Sequence, residues 1–145
     1  VSYGPQASAS ETNEMLGNTA SVHQIALETV QNTLQGKTSA AISAINRGML
    51  EGVDLRHLHH QVIEITRSVL LIQCGSRDAL ELPSETITYL DPLASKVSIQ
   101  RVVDALKLIG EINLRYDAPS PLPLELAIVE ASFKNTRLTK NSTVA

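Results

Sequence analysis

The sequence predicts an all-α fold, a single bundle of five to six helices built from short helical hairpins. Three successive helix-length segments with apolar residues at helical spacing end in Gly36, Gly52 and Gly75, and a new N-cap candidate follows soon after. Alternating strand patterns are nearly absent. The 43% hydrophobic content with only 3% aromatic residues describes a core of Leu, Ile, Val and Ala. A chain of 145 residues can bury roughly 70% of its unfolded surface, so it needs no metal or disulfide to fold.

Each element follows from local signals. Ser8 and Glu11 form a possible capping box for a short helix ending at Leu16, with Gly17 behind it. Ser21 and Gln24 form a second, opening a helix to about Gln35 with Val22, Ala26, Leu27, Val30 and Leu34 inward. The next helix spans about Lys37 to Glu51 and turns Ala41, Ile42, Ile45 and Met49 inward; the Gly36 hinge folds the two back antiparallel. Asp54 caps a third, whose Leu55, Leu58, Val62, Ile65, Val69 and Ile72 recur at spacings of three and four. Ile63, Leu70 and Leu71 widen that surface, so this helix is expected to be central.

Pro83 and Glu85 mark the start of a fourth helix, expected to end near Leu93 because of Pro92. Ser98 caps a fifth of about 18 residues with Ile99, Val102, Leu106 and Ile109 inward, a stripe that Asn113 continues as a polar residue. Prolines at 119, 121 and 123 break the chain, and a last helix runs from Leu124 to about Phe133 with Leu124, Ala127, Ile128 and Ala131 on one face. A polar tail follows from Lys134. In domain terms, residues 1–17 read as a linker and short helix, 18–134 as the bundle and 135–145 as a flexible tail.

Charge and motif content exclude several function classes. A net charge of −3 argues against a domain that grips a phosphate backbone by itself, so direct DNA binding is not expected. Lys134, Arg137 and Lys140 read as a solubilising end. The chain has no apolar run long enough for a membrane span, and its single cysteine, Cys74, suits a reducing cytoplasm as a small filler at a helix end. The first residue, Val1, is that expected of a piece of a longer protein. No phosphate loop and no nucleophile elbow occurs, so no catalytic residue and no bound cofactor is assigned. His57, His59 and His60 cluster, yet all fall outside the apolar seam, where a solvated or interface face is expected and no metal site.

Four stretches together resemble the third domain of the bacterial DNA polymerase III gamma/tau subunit. Ser10-Glu-Thr-Asn-Glu-Met-Leu-Gly17 is similar to the helix leaving the lid of that family's ATPase module. Leu50-Glu-Gly-Val-Asp-Leu55 is similar to its "E-G-x-D" turn. Ile65-Thr-Arg-Ser-Val-Leu-Leu-Ile72 resembles its "L-R-D-L-L" helix, with Arg67 at the arginine and Ser68 where Asp is usual. Leu122-Pro-Leu-Glu-Leu-Ala-Ile-Val-Glu130 resembles its "L-E-x-A-L-V" helix, with Glu125 at the glutamate. The likeness covers about Glu11 to Phe133, and Tyr116-Asp-Ala-Pro departs from the family's pattern.

The resemblance implies a non-catalytic oligomerisation domain that joins clamp-loader subunits into a collar while the loader places the sliding clamp on primed DNA. The implied partners are other gamma/tau copies and delta and delta-prime type subunits, with a homo-oligomer in the full protein and a cytoplasmic location. ATP and Mg would belong to an ATPase domain upstream of Val1, within a holoenzyme that is a DNA-directed DNA polymerase, a transferase. The candidate interface residues are Arg67, Asn113, Arg115, Tyr116 and Glu125. The alternative is a stand-alone helical adaptor that binds a peptide in a groove between helices.

Overall fold

The computed structural model describes residues 22–80, 82–114 and 120–144, with side chains through Phe133. The described residues form helices α1 (22–34), α2 (Thr38–Leu50), α3 (Leu55–Gln73), α4 (Ser84–Lys96), α5 (Ile99–Gly110) and α6 (Leu122–Val144), and a 3-10 turn at Arg77–Ala79. The expected Ser8–Leu16 helix and the Ser21 cap lie outside the described residues.

The three glycine stops are built as expected. After α1, the Gly36 N–H reaches the Thr33 carbonyl at 3.1 Å and the Lys37 N–H reaches that of Asn32 at 2.8 Å. The same pair of bonds closes α2 around Gly52 and α3 around Gly75. This double closure needs a left-handed residue, and the three glycines have φ of 77°, 79° and 78°. Asp54 and Ser98 accept backbone N–H bonds at the starts of α3 and α5.

Core prediction succeeded along α3, where Leu55, Leu58, Val62, Ile65, Val69 and Ile72 are all buried. The most enclosed helix is nevertheless α1, with eight of thirteen residues buried. Its polar groups, three side chains and one backbone carbonyl, reach four other helices. Glu28 pairs with Arg47 of α2, His23 meets Gln61 of α3, Gln31 accepts from Tyr89 of α4, and the Thr33 carbonyl accepts from Arg101 of α5. Gly48 of α2 lets the backbones approach, since a Cβ there would stand 3.2 Å from Ile25 Cδ1. Around this hub, α3 packs on α4 and α5, α5 on α6, and α6 on α2.

Three boundaries differ from the sequence expectation. Helix α4 passes through Pro92 and ends at Lys96, three residues beyond Leu93. Pro92 lies on the exposed side of α4, where the carbonyl that loses its donor can meet water. Helix α5 has 12 residues, shorter than expected, and at its end His59 of α3 donates to the Ile109 carbonyl at 2.8 Å just before Gly110. That bond requires the proton on Nε2, since a carbonyl oxygen only accepts. Helix α6 starts at Leu122 and continues past Phe133, with no Gly or Pro in the following stretch to stop it.

Candidate partner interface

Helix α6 carries two apolar faces. Leu124, Ala127, Ile128 and Ala131 are buried against the bundle. On the opposite side Leu122, Leu126 and Phe133 remain 55%, 60% and 51% exposed, and half-buried Val129 lies between them. These four residues sit at i, i+4, i+7 and i+11, which places them on one narrow stripe of the helix. Glu125 and Glu130 flank it. The sequence reading identified the inner stripe and missed the outer one, although the same spacing rule would have found it.

A part-buried polar cluster fixes which face points outward. Arg101 Nη2 donates to the Thr33 carbonyl at 3.2 Å and to the Ser132 carbonyl at 3.0 Å, tying α5 to the C-terminal end of α1 and to the middle of α6. The Ser132 hydroxyl lies 2.6 Å from that of Thr38 at the start of α2. Burial of the Arg101 guanidinium pushes its pKa below the ordinary arginine value, and its Nε has no hydrogen-bond partner. Rotating α6 about its axis would break the Ser132 bonds, so the outer stripe is held in place.

The residues singled out from sequence fall on separate elements. Arg67 is exposed on α3 beside a groove of about 380 Å³ that Ile65, Leu80 and Leu82 also line. Its carboxylate neighbour is Glu64 at 3.9 Å. Glu125 is half-buried in the first turn of α6. Asn113 is exposed in the irregular segment after α5, so it continues no helical stripe. Arg115 and Tyr116 lie outside the described residues. No hydrogen bond or ion pair among the described residues joins Arg67, Asn113 and Glu125.

The remaining polar groups serve packing. His57 and His60 are exposed, whereas half-buried His59 caps α5, which corrects the expectation of a uniformly solvated or interface histidine face. Half-buried His23 bridges Gln61 of α3 at 3.2 Å and Thr86 of α4 at 3.4 Å. Cys74 is the exposed C-cap residue of α3 and not a filler among apolar side chains. Gln73 Nε2 donates to the Ala94 and Val97 carbonyls and so closes the end of α4. Among the described residues no group of three His, Cys, Asp or Glu could hold a metal ion, and no helix is long and apolar enough to cross a membrane.

Comparison with known proteins adds one match. The profile of the family described as DNA polymerase III subunits gamma and tau domain III matches residues 7–109, more than half of the chain. No curated protein and no solved structure matches the chain significantly. The matched span holds the three glycine-closed hairpin turns, the Asp54 cap and the α3 seam. By this match the chain belongs to the DNA polymerase III gamma and tau domain III family, a part of the clamp-loader subunits.

Proposed function

We propose that this domain is a non-catalytic oligomerisation module that joins clamp-loader subunits into the assembly that places the sliding clamp on primed DNA. The observation that carries this reading is the outer stripe of α6. An aliphatic and aromatic row on a helix already anchored by its other face is a surface that water disfavours and a partner helix or groove can cover. Family membership supplies the clamp-loader context. The partners are gamma/tau copies and delta and delta-prime type subunits, and ATP and Mg binding reside outside these 145 residues. The cytoplasm is the location that this role requires.

Substituting Leu126→Asp in the full chain tests the reading, because a charge at the centre of the stripe must be desolvated on assembly. The expected result is loss of subunit association in sedimentation velocity with an unchanged melting temperature, since Leu126 is 60% exposed. Unchanged association would remove the stripe as an interface. The peptide-binding adaptor alternative predicts a monomer whose behaviour is indifferent to this substitution.

A further inference from the structure

We infer that α6 of one copy docks into the groove between α3 and residues Ala79, Leu80 and Leu82 of a second copy, with Glu125 of one chain meeting Arg67 of the other. This inference rests on the assembly reading above and specifies which two faces meet.

Charge restricts what can cover the α6 stripe. From Leu122 to Phe133 the helix has two carboxylates, Glu125 and Glu130, and no basic residue. Setting this stretch against the same stretch of another copy brings carboxylate against carboxylate along the seam, which is destabilising. The complementary surface therefore needs an apolar floor and a cation with donors to spare.

The groove beside α3 meets both requirements. Ala79 and the half-buried Leu80 and Leu82 give it an apolar wall over the fully buried Ile65, and Arg67 stands at its edge with Glu64 beside it. The pair Arg67–Glu64 spans 3.9 Å, and both side chains are exposed, at 50% and 41%. At that separation the planar fork of donors on Arg67 is largely unused. Arg77, which lines a second recess, is in contrast already committed to Asp91 at 2.6 and 3.0 Å.

The two surfaces belong to different parts of the bundle. Helix α6 packs on α2 and α5, whereas the groove is formed by α3 and the segment that follows it. A contact between unlike faces of identical chains is head-to-tail. Repeated without reciprocation, it makes a closed ring or an open series.

The test is charge reversal in the full chain, read by sedimentation velocity over a concentration series, with thermal melts confirming that each variant is folded. Arg67→Glu and Glu125→Arg are each expected to weaken association about tenfold or more, and the double variant is expected to regain most of the wild-type affinity. A double variant as weak as the two losses combined, or single variants that assemble normally, would overturn the pairing. A wild-type chain that stays monomeric at millimolar concentration would overturn the second copy as occupant. If a reversal unfolds the chain, Arg67→Gln, Glu125→Gln and their combination replace it. Paired residues then give a double loss no larger than either single loss, and additive losses refute the contact. Leu126→Asp separates the two readings. Assembly lost with Leu126→Asp but intact with the charge variants refutes only this docking, and assembly intact with Leu126→Asp refutes the oligomerisation surface itself.

Discussion

Arg101 on α5 donates from one nitrogen to the carbonyl of Ser132 on α6 at 3.0 Å, and the same nitrogen serves the Thr33 carbonyl of α1. The guanidinium thus replaces water at the C-terminal end of α1, where the last carbonyls lack intrahelical partners. It also anchors α6 at the point where Ser132 meets Thr38. Replacing Arg101 by Met keeps much of the aliphatic stem but leaves two carbonyls without this donor. Arg101→Met is expected to cost about 2 kcal/mol, the scale of a hydrogen bond to a charged group. Urea denaturation checks it, and a midpoint equal to wild type would show that water substitutes fully for the guanidinium.

Gly36 and Gly52 are the same turn with different surroundings. Both have left-handed φ, so alanine at either position costs about 1 kcal/mol in backbone strain. At Gly52 a Cβ meets nothing within 4 Å, whereas at Gly36 it stands 3.2 Å from Arg101 Nη2. Gly36→Ala is therefore expected to destabilise more than Gly52→Ala, and to lose that excess in an Arg101→Met background. A double-mutant cycle by thermal melting measures the coupling.

These residues show how far sequence reasoning reached. Glycine stops, the Asp54 cap and the seam from Leu55 to Ile72 are local codes, each read within a few positions of the residue concerned. Arg101, Gln73 and His59 were not legible, because each reaches a helix end far along the chain and no local pattern marks such a bond. Thr29 and Thr33 were missed for a different reason. Both are fully buried although polar, since each hydroxyl donates to the carbonyl one turn back, at 2.7 and 2.6 Å, and presents its methyl group to the core. Counting threonine as polar hid α1 as the hub. At the candidate site, the resemblance pointed to Arg67 and Glu125, while the outer stripe of α6 was overlooked once an inner stripe had been found.

The hydroxyl of Thr29 contributes little beyond satisfying itself. Thr29→Val keeps the shape, and the Ile25 carbonyl retains its place in the helix ladder. The expected change is within about 1 kcal/mol of zero, because no partner is orphaned. Calorimetry on this variant decides, and a loss of several kcal/mol would mean that the hydroxyl is needed for packing in α1.

Acid should weaken one surface contact in a traceable way. The hydrogen bond from Arg47 holds the Glu28 carboxyl below the usual carboxylate range, with partial burial opposing. A depressed carboxylate stabilises the fold above its unfolded pKa, and this contribution is lost as pH falls through the lower folded value. Since both side chains are substantially exposed, at 48% and 32%, the effect is under about 1 kcal/mol. Stability of wild type relative to Arg47→Met is thus expected to be constant above about pH 5 and to shrink below it. Urea titrations of the two proteins between neutral pH and acid check this, and a difference independent of pH would mean that Arg47 acts through packing alone.

Pro92 offers the clearest route to a more stable bundle. It lies inside α4, where it cannot donate a backbone hydrogen bond and its ring crowds the preceding turn. The side chain is exposed, so alanine leaves no cavity. Proline in a helix interior costs roughly 3 kcal/mol relative to alanine, and its restriction of the unfolded chain returns up to about 1 kcal/mol. Pro92→Ala is expected to raise stability by about 2 kcal/mol, with the urea dependence of unfolding unchanged. A destabilised variant would show that proline at this position is required for Leu90 and Leu93 to reach the core together.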